Sequence, residues 1–468
     1  MNEKNRGLRI QDSMYGIIDL NDSERKLIDS PSFQRLLSVK QLGFAYAAFP
    51  GGDYSRFSHC IGASHVMQKL VRTLQLEDSA QKVYRFAALI HDIGHFPFSH
   101  PIEQAIERRY EADATTNKPK TPFLNHEHVG AALLELDPKL REAIESANIS
   151  PDVVARVFMK KDPTRHSALI SSDIDADRLD YLRRTAHHTG LPYGCVDQDY
   201  IVREVRIDRE NRVCWSRRAL GALDHALIGR FYDYRQIVHN KTVVGLELVL
   251  KDVVYELTAP ELKENGLDLS EAGVRQMIAD KKWFRFDDHQ LTEKIKISRL
   301  LETADRCFTQ KCDALIDRNP PRLVGEKGGL LPARDKAHFE AFTDELKTLK
   351  PQFAKRFGID ESLWWVWTKK TTITSYEGLA QPSEDDEGTA DLVRLLDHDG
   401  SSHLAVLDPQ SLVGKLCTIW KFVARIYVLV ERGHPKREEI EREIQVEMDA
   451  AWDRAFAGQT LLVKHAAA

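Results

Sequence analysis

From about residue 22 to residue 245 the chain repeats one pattern: apolar residues at helical spacing, cut into segments by glycine, proline and small polar residues. Ile61, Val66, Leu70 and Leu74 make one stripe. Val83, Phe86, Ala87 and Ile90 make another, which stops at Gly94. Apolar residues three and four apart share one face of a helix, so this pattern predicts a fold that is mainly α. Ser23 is placed to cap a helix through Leu27, Ile28, Phe33 and Leu36. Ser171, Ser172 or Asp173 is placed to open one over residues 174–188. Helices are expected again over 219–250 and 291–315.

Two stretches break the pattern. VREVRI and RVCWS flank DREN, which predicts a small β-hairpin insertion within residues 201–215. Residues 319–332 (NPPRLVGEKGGLLP) are rich in Pro and Gly and read as a loop or linker. Beyond them the expectation is a helix over 335–349, a strand within 363–376, a hairpin in DLVRLLDHDGSSHLAVL, and helices over 412–430 and 437–456. The chain therefore divides into a helical core, residues 1–318, and a smaller mixed α/β accessory region, residues 319–468.

With 42% hydrophobic and 29% charged residues, 468 residues suffice for a large core or for two or three domains. A net charge of −5 points to neither nucleic acid nor an anionic membrane as an obligatory partner. No stretch approaches the ~18 apolar residues of a membrane span, and MNEKNRGLRIQDS has no apolar signal core. The expected location is cytoplasmic. Cys60, Cys195, Cys214, Cys307, Cys312 and Cys417 form no CxxC pair and read as reduced thiols.

The chemistry lies in four clusters: Arg56-Phe57-Ser58-His59, His91-Asp92-Ile93-Gly94-His95, Asn125-His126-Glu127-His128, and Asp173 to Tyr181. Imidazole nitrogen with carboxylate oxygen suits one divalent cation, Mn, Fe, Zn, Ni or Mg. Adjacent side chains on a regular helix diverge by about 100°, so His91 and Asp92 cannot both reach one cation mid-helix. At a helix end, against Gly94, the last turn can deform. A lone His-Asp pair carries little weight, and Asp397-His398-Asp399-Gly400 holds another that reads as a hairpin turn.

The run IDSPSFQRLLSVKQLGFAYAAFPGGDYSRFSHCIG, then LIHDIGHFPFSH, NHEH and DIDADRLDYLRRTAHHTG, resembles the HD-domain deoxynucleoside triphosphate triphosphohydrolases over roughly residues 10–250. That resemblance implies an HD-domain core and metal ligands at His59, His91, Asp92 and Asp177. It also implies a histidine at the reacting phosphate, His95, and a catalytic His126 oriented by Glu103. Arg56, Arg178 and Tyr181 match groups holding the phosphates, and Gln41 and Leu42 match sugar contacts. Lys241 falls where a later helix supplies another basic residue. A nucleotide substrate, a nucleotide activator and a homo-oligomer are implied as partners. Arg178 and Tyr181 stand three and four residues from their helix neighbours Tyr181 and Asp177, a spacing that shares one face. Arg binds phosphate as a planar fork.

The chain departs from the family at Thr185, where relatives carry an aspartate at the sugar, and at His239, in the stretch that reads sugar and base. Asp173 reads as a cap, and Asp175 and Asp180 as groups bonded to other side chains. His187 and His188 either line the pocket or close the helix. His65 and His128 read as structural, and Trp364, Trp365 and Trp367 as strand aromatics in the core rather than a base-stacking platform. The leading expectation is hydrolysis of a deoxynucleoside triphosphate to deoxynucleoside and inorganic triphosphate. The alternatives are a phosphodiesterase or nuclease on the same metal site, acting on nucleic acid or another nucleotide, and a nucleotide sensor without catalysis.

Overall fold

A computed structural model describes residues 8–457 except 115–124, 162–165, 260–261, 263–265, 302–303, 385–387 and 432. The fold is mainly α, with small sheets. Its core is built on the helix Arg56–Thr73, which Ser55 caps and which buries Cys60, Ile61, Val66, Met67, Leu70 and Val71. The helix Asp78–Ile90 lies along it and buries Phe86 through Ile90. The helix Ala176–Thr189 packs on it too, closing the bundle around what becomes the candidate site.

Pro31 splits the long N-terminal helix the sequence suggested. Asn21, not Ser23, caps Asp22–Ile28 through a reciprocal bond with Glu24. Ser30 then caps a fresh turn, Pro31–Gln34. A proline lacks the N–H the continuous helix would need and clashes with the preceding turn. Asp175 rather than Ser171, Ser172 or Asp173 caps Ala176–Thr189, and Gly190 ends it with φ +75°.

The expected hairpin forms at Val205–Ile207 and Val213–Ser216. It joins the second expected hairpin, Arg394–Leu396 with Ser402–Leu404, in one four-stranded sheet.

Two expectations fail in the last third. Residues 319–332 are not a linker, because Arg322–Pro332 is a strand. Residues 412–430 are helical only at Leu412–Leu416, and Ile419–Val428 is the central strand of an antiparallel sheet flanked by Arg322–Pro332 and Trp364–Thr371. The glycines that looked like linker residues are there for close approach. A Cβ on Gly328 would stand 2.2 Å from the Phe422 carbonyl oxygen, so only glycine lets the strands meet. Along the central strand Trp420, Phe422, Ala424, Ile426 and Val428 face a second hydrophobic cluster with the helices Lys336–Phe357 and Arg437–Ala455. Tyr427 turns the other way into the main core. Trp365 on the neighbouring strand donates its indole N–H to Asp252 at 3.0 Å, which docks the sheet on the helix Lys241–Leu257.

Candidate active site

The helix Asp78–Ile90 ends at His91, and the chain turns through residues 91–94. Gly94 makes that turn possible in place: a Cβ there would lie 2.1 Å from the His126 carbonyl oxygen. The deformed end lets both side chains of the pair point inward, as the sequence required.

His59 meets them from the first turn of its helix and Asp177 from the first turn of Ala176–Thr189. His59 Nε2 lies 3.0 Å from Asp177 Oδ1, 3.3 Å from His91 Nε2 and 3.7 Å from Asp92 Oδ2. His91 Nε2 lies 3.5 Å from Asp92 and 3.6 Å from Asp177. Ligands ~2.1 Å from one cation stand about 3.0–3.5 Å from each other; His59, His91 and Asp92 gather closely enough to hold one ion, and Asp177 Oδ1 abuts both imidazoles. Each histidine has its other nitrogen fixed. His59 Nδ1 is 2.8 Å from Asp180, itself held by Arg184, and His91 Nδ1 is 2.9 Å from the Ala88 carbonyl. Acceptors at Nδ1 put the proton there and turn the Nε2 lone pair inward, the usual support for a metal-binding imidazole.

The field agrees. Burial alone would lower both imidazoles, yet Asp177 and Asp180 raise His59, and Asp92 with Asp177 raise His91 to about 10. Burial alone would raise the carboxyls, yet Arg56, His91 and His95 hold Asp92, and the two histidines hold Asp177, below the ordinary range. Positive charge is favoured at this point, which is what a divalent cation needs.

His126 stands next to the cluster. Its Nδ1 and its backbone N–H both lie 2.8 Å from Glu103 Oε1. Its ring stacks on His95 with centroids 4.0 Å apart and planes 9° apart. His95 Nε2 is 3.1 Å from Asp92, and burial, Arg56 and His126 push this imidazole well below its ordinary pKa, towards neutrality. His95, His100, Glu103 and His126 gather ligand-type atoms, but parallel stacked rings aim their lone pairs along separate planes. His100 and His126 share Glu103 through hydrogen bonds, while His95 joins them only by ring contact.

Arg56 is fully engaged, gripping Asp92 and bonded to Ser99 Oγ at 2.7 Å. Ser99 and Phe98 hold positive φ of 67° and 53°, and Asp288 fixes the bend by accepting the Phe98 N–H at 2.8 Å. Strain of this kind is retained where the surroundings over-determine it.

A cavity of about 530 Å³ opens over these groups. Gln41, Leu42, Arg56, His91, Asp92, His95, His126, Asp177, Arg178, Tyr181 and His239 all line it. His59 and Glu103 stand behind that lining as supports. Two expected residues are elsewhere. Thr185 is fully buried and bonded to Tyr54 Oη at 2.9 Å, because its place on the helix turns it into the core. Lys241 is exposed at the start of its helix, whose N-cap is Asn240. Asp173 and Asp175 exchange the roles expected of them: Asp175 is the cap, and Asp173 binds Arg178 at 2.9 Å and Arg230 at 3.0 Å. His188 stacks on Tyr54 and so closes the helix end. Trp364 and Trp365 are buried, as strand aromatics should be. Trp367 is not: it lines the cavity beside His239, with ring centroids 5.5 Å apart. Lys251, Lys369, Asp233 and Glu247 line it as well and were missed. Alternation along Trp364–Thr371 was the one available signal, since it sends Trp365 and Trp367 to the face opposite Trp364.

The HD domain family matches residues 56–185, the segment that holds His59, the His91-Asp92 pair and Asp177. The uncharacterized protein YwfO of Bacillus subtilis is 31% identical over 53% of this chain and 54% of its own length. The deoxynucleoside triphosphate triphosphohydrolase SAMHD1 of Bos taurus is 24% identical over 73% of this chain and 62% of its own length. The chain thus spans little more than half the length of the curated relatives it matches. A crystal structure of a phosphohydrolase from Bacteroides thetaiotaomicron shares the fold with a TM-score of 0.68, at 21% identity over 91% of this chain and all of that one. Fold, metal-type cluster and sequence kinship thus agree on one segment: residues 56–185 match the HD domain family, and the chain is similar to proteins of that kind.

Proposed function

We propose that this protein is a triphosphohydrolase that splits a deoxynucleoside triphosphate into deoxynucleoside and inorganic triphosphate. The observation that carries the reading is one cavity lined by two chemically different sets of groups. One set is His91, Asp92, Asp177, Arg178, Tyr181 and His126, with His59 and Glu103 behind them. The other is Trp367, Ile237, Val238 and His239, aromatic and apolar groups suited to a nucleobase.

His59, His91, Asp92 and Asp177 would hold one divalent cation. When bound, it supplies Lewis-acid activation of the phosphoryl group and of water. Arg178, braced by Asp173, offers its guanidinium to the phosphates, and Tyr181 adds a hydroxyl from the same helix face. Arg56 keeps Asp92 ionised and borders the phosphate end, where Gln41 and Leu42 meet the sugar. Glu103 holds the proton on His126 Nδ1, which leaves Nε2 to take or give a proton at the scissile P–O bond. His95, kept neutral, offers a hydrogen bond at the reacting phosphate without adding charge. Thr185 and Lys241 have no part in this reading.

The test is product analysis with each dNTP and Mn²⁺, Fe²⁺, Zn²⁺, Ni²⁺ or Mg²⁺, with and without the other nucleotides as activators. Inorganic triphosphate and deoxynucleoside are the expected products. No triphosphate release under any combination would overturn this reading, and breakdown of single-stranded nucleic acid that disappears in His91→Ala/Asp92→Ala would favour the phosphodiesterase one.

A further inference from the structure

The helix Leu220–Asp233 ends by placing the Asp233 carboxyl in the cavity wall, where the residue is only 3% exposed. The other acids sunk in this wall are answered by the protein. Asp92 has Arg56, Asp177 has His59, Asp175 accepts the Arg178 and Ser172 backbone N–H groups, and Glu247 has Lys251 and Lys369 nearby. Asp233 has no hydrogen-bond or ion-pair partner among the described residues, and burial alone raises it to about 7. A buried polar group without a partner costs about 1–3 kcal/mol. Groups of this kind persist in clefts where a ligand completes them.

Its position says which part of a ligand. Asp233 bears electrostatically on Tyr54, whose hydroxyl is bonded to Thr185. Thr185 stands eight residues past Asp177 on one helix, about 12 Å along its axis, with Tyr181 about halfway. Asp233 is therefore set back from the cation ligands, towards the Thr185 end of that helix. A carboxyl there repels a phosphate and suits a neutral O–H donor, whether it is ionised or protonated. Ile237 and Val238, one turn further along the same segment, are apolar wall for the base. Between phosphate and base lies the sugar.

We propose that Asp233 reads a sugar hydroxyl of the substrate, the 3′-hydroxyl in a deoxynucleotide, and so decides which sugars the cavity accepts. The proposal rests on the nucleotide reading above. It goes beyond that reading by adding a carboxyl from the helix Leu220–Asp233 to the sugar contacts given to Gln41 and Leu42.

The experiment is titration calorimetry of each dNTP and its 2′,3′-dideoxy counterpart. The full chain carries His126→Ala so that nucleotide survives, alone or combined with Asp233→Asn or Asp233→Ala. The starting protein is expected to prefer the 3′-hydroxyl about tenfold to a hundredfold. Asp233→Ala should bring that ratio close to one by weakening dNTP binding. Asp233→Asn, whose amide still bonds a hydroxyl, should keep part of it, and its conservative shape guards against a folding artefact. A ratio unchanged in both variants, or no preference to begin with, overturns the proposal. If the preference is present and Asp233-dependent while wild-type protein releases no triphosphate, the reaction reading falls and this one stands. If no nucleotide binds at all, both fall.

Discussion

Glu103 spends one oxygen on two donors of a single residue, the ring Nδ1 and the backbone N–H of His126. That arrangement fixes the ring, its tautomer and the start of the helix His126–Leu136 together. His126→Ala should therefore lower kcat by about 10²–10⁴-fold while elemental analysis finds its metal content unchanged. Glu103→Gln should lose less than His126→Ala, because the amide oxygen can still accept the Nδ1–H. A Glu103→Gln variant as inactive as His126→Ala and depleted of metal would place the pair in the metal shell instead. Asp233 gives a pH prediction. Its folded pKa, about 7, lies above the unfolded value near 3.9. The native state thus binds the extra proton between those values, and this residue's share of stability is lost as pH rises from about 4 to 7. Asp233→Asn should raise stability at pH 8 by roughly 1–4 kcal/mol and change little at pH 4, measured by urea unfolding at both. The clustering of His59, His91, Asp92 and Asp177 was legible in the sequence because each is a residue type that a fold rarely buries for packing alone. Asp233, Trp367 and Lys369 were not, since each is ordinary for its own helix or strand and gains meaning only from what folds against it.

At the scale of elements, the most exposed assumption is the turn after His91. Gly94→Ala forces a methyl into the His126 carbonyl and the Gly130 backbone nitrogen, 2.1 and 2.4 Å away. Backbone cannot yield as a flexible side chain does. The variant should lose about 1–3 kcal/mol of stability, and kcat should fall with it because the two halves of the site are pushed apart. Unchanged kinetics in a folded Gly94→Ala protein would mean that the His91 turn and the His126 helix are positioned independently. The helices from residue 56 to 189 were readable because one apolar stripe faces one core. The strand Ile419–Val428 was misread because it is largely buried on both faces and its two charges, Lys421 and Arg425, stand four apart, a spacing that also suits one face of a helix. β-branched and aromatic residues over 419–428 were the cue that should have outweighed length.

For the whole molecule, the sheet of Arg322–Pro332, Ile419–Val428 and Trp364–Thr371 has its own cluster on one face. From the other it sends Trp365 and Tyr427 into the main core and Trp367 into the cavity. Arg425 of that sheet donates to the His239 carbonyl. We propose that residues 319–468 act as an accessory region that completes the cavity wall through Trp367 and Lys369. Trp367→Ala should weaken nucleotide binding by about 1–3 kcal/mol, the usual worth of an aromatic stacked on a base, and leave metal content intact. Equal binding in that variant would detach the sheet from substrate recognition. A homo-oligomer remains a proposal from family resemblance, and sedimentation of the full chain with and without nucleotide would decide it. Among the described residues no helix is long and apolar enough to cross a membrane. The account as a whole depends on His59, His91, Asp92 and Asp177 sharing one ion. Elemental analysis of the wild-type chain and of His91→Ala/Asp92→Ala measures that directly. A single divalent equivalent per wild-type chain, lost in the double variant, is the predicted result. No bound metal in the wild type, or an equivalent that survives the double substitution, would contradict it.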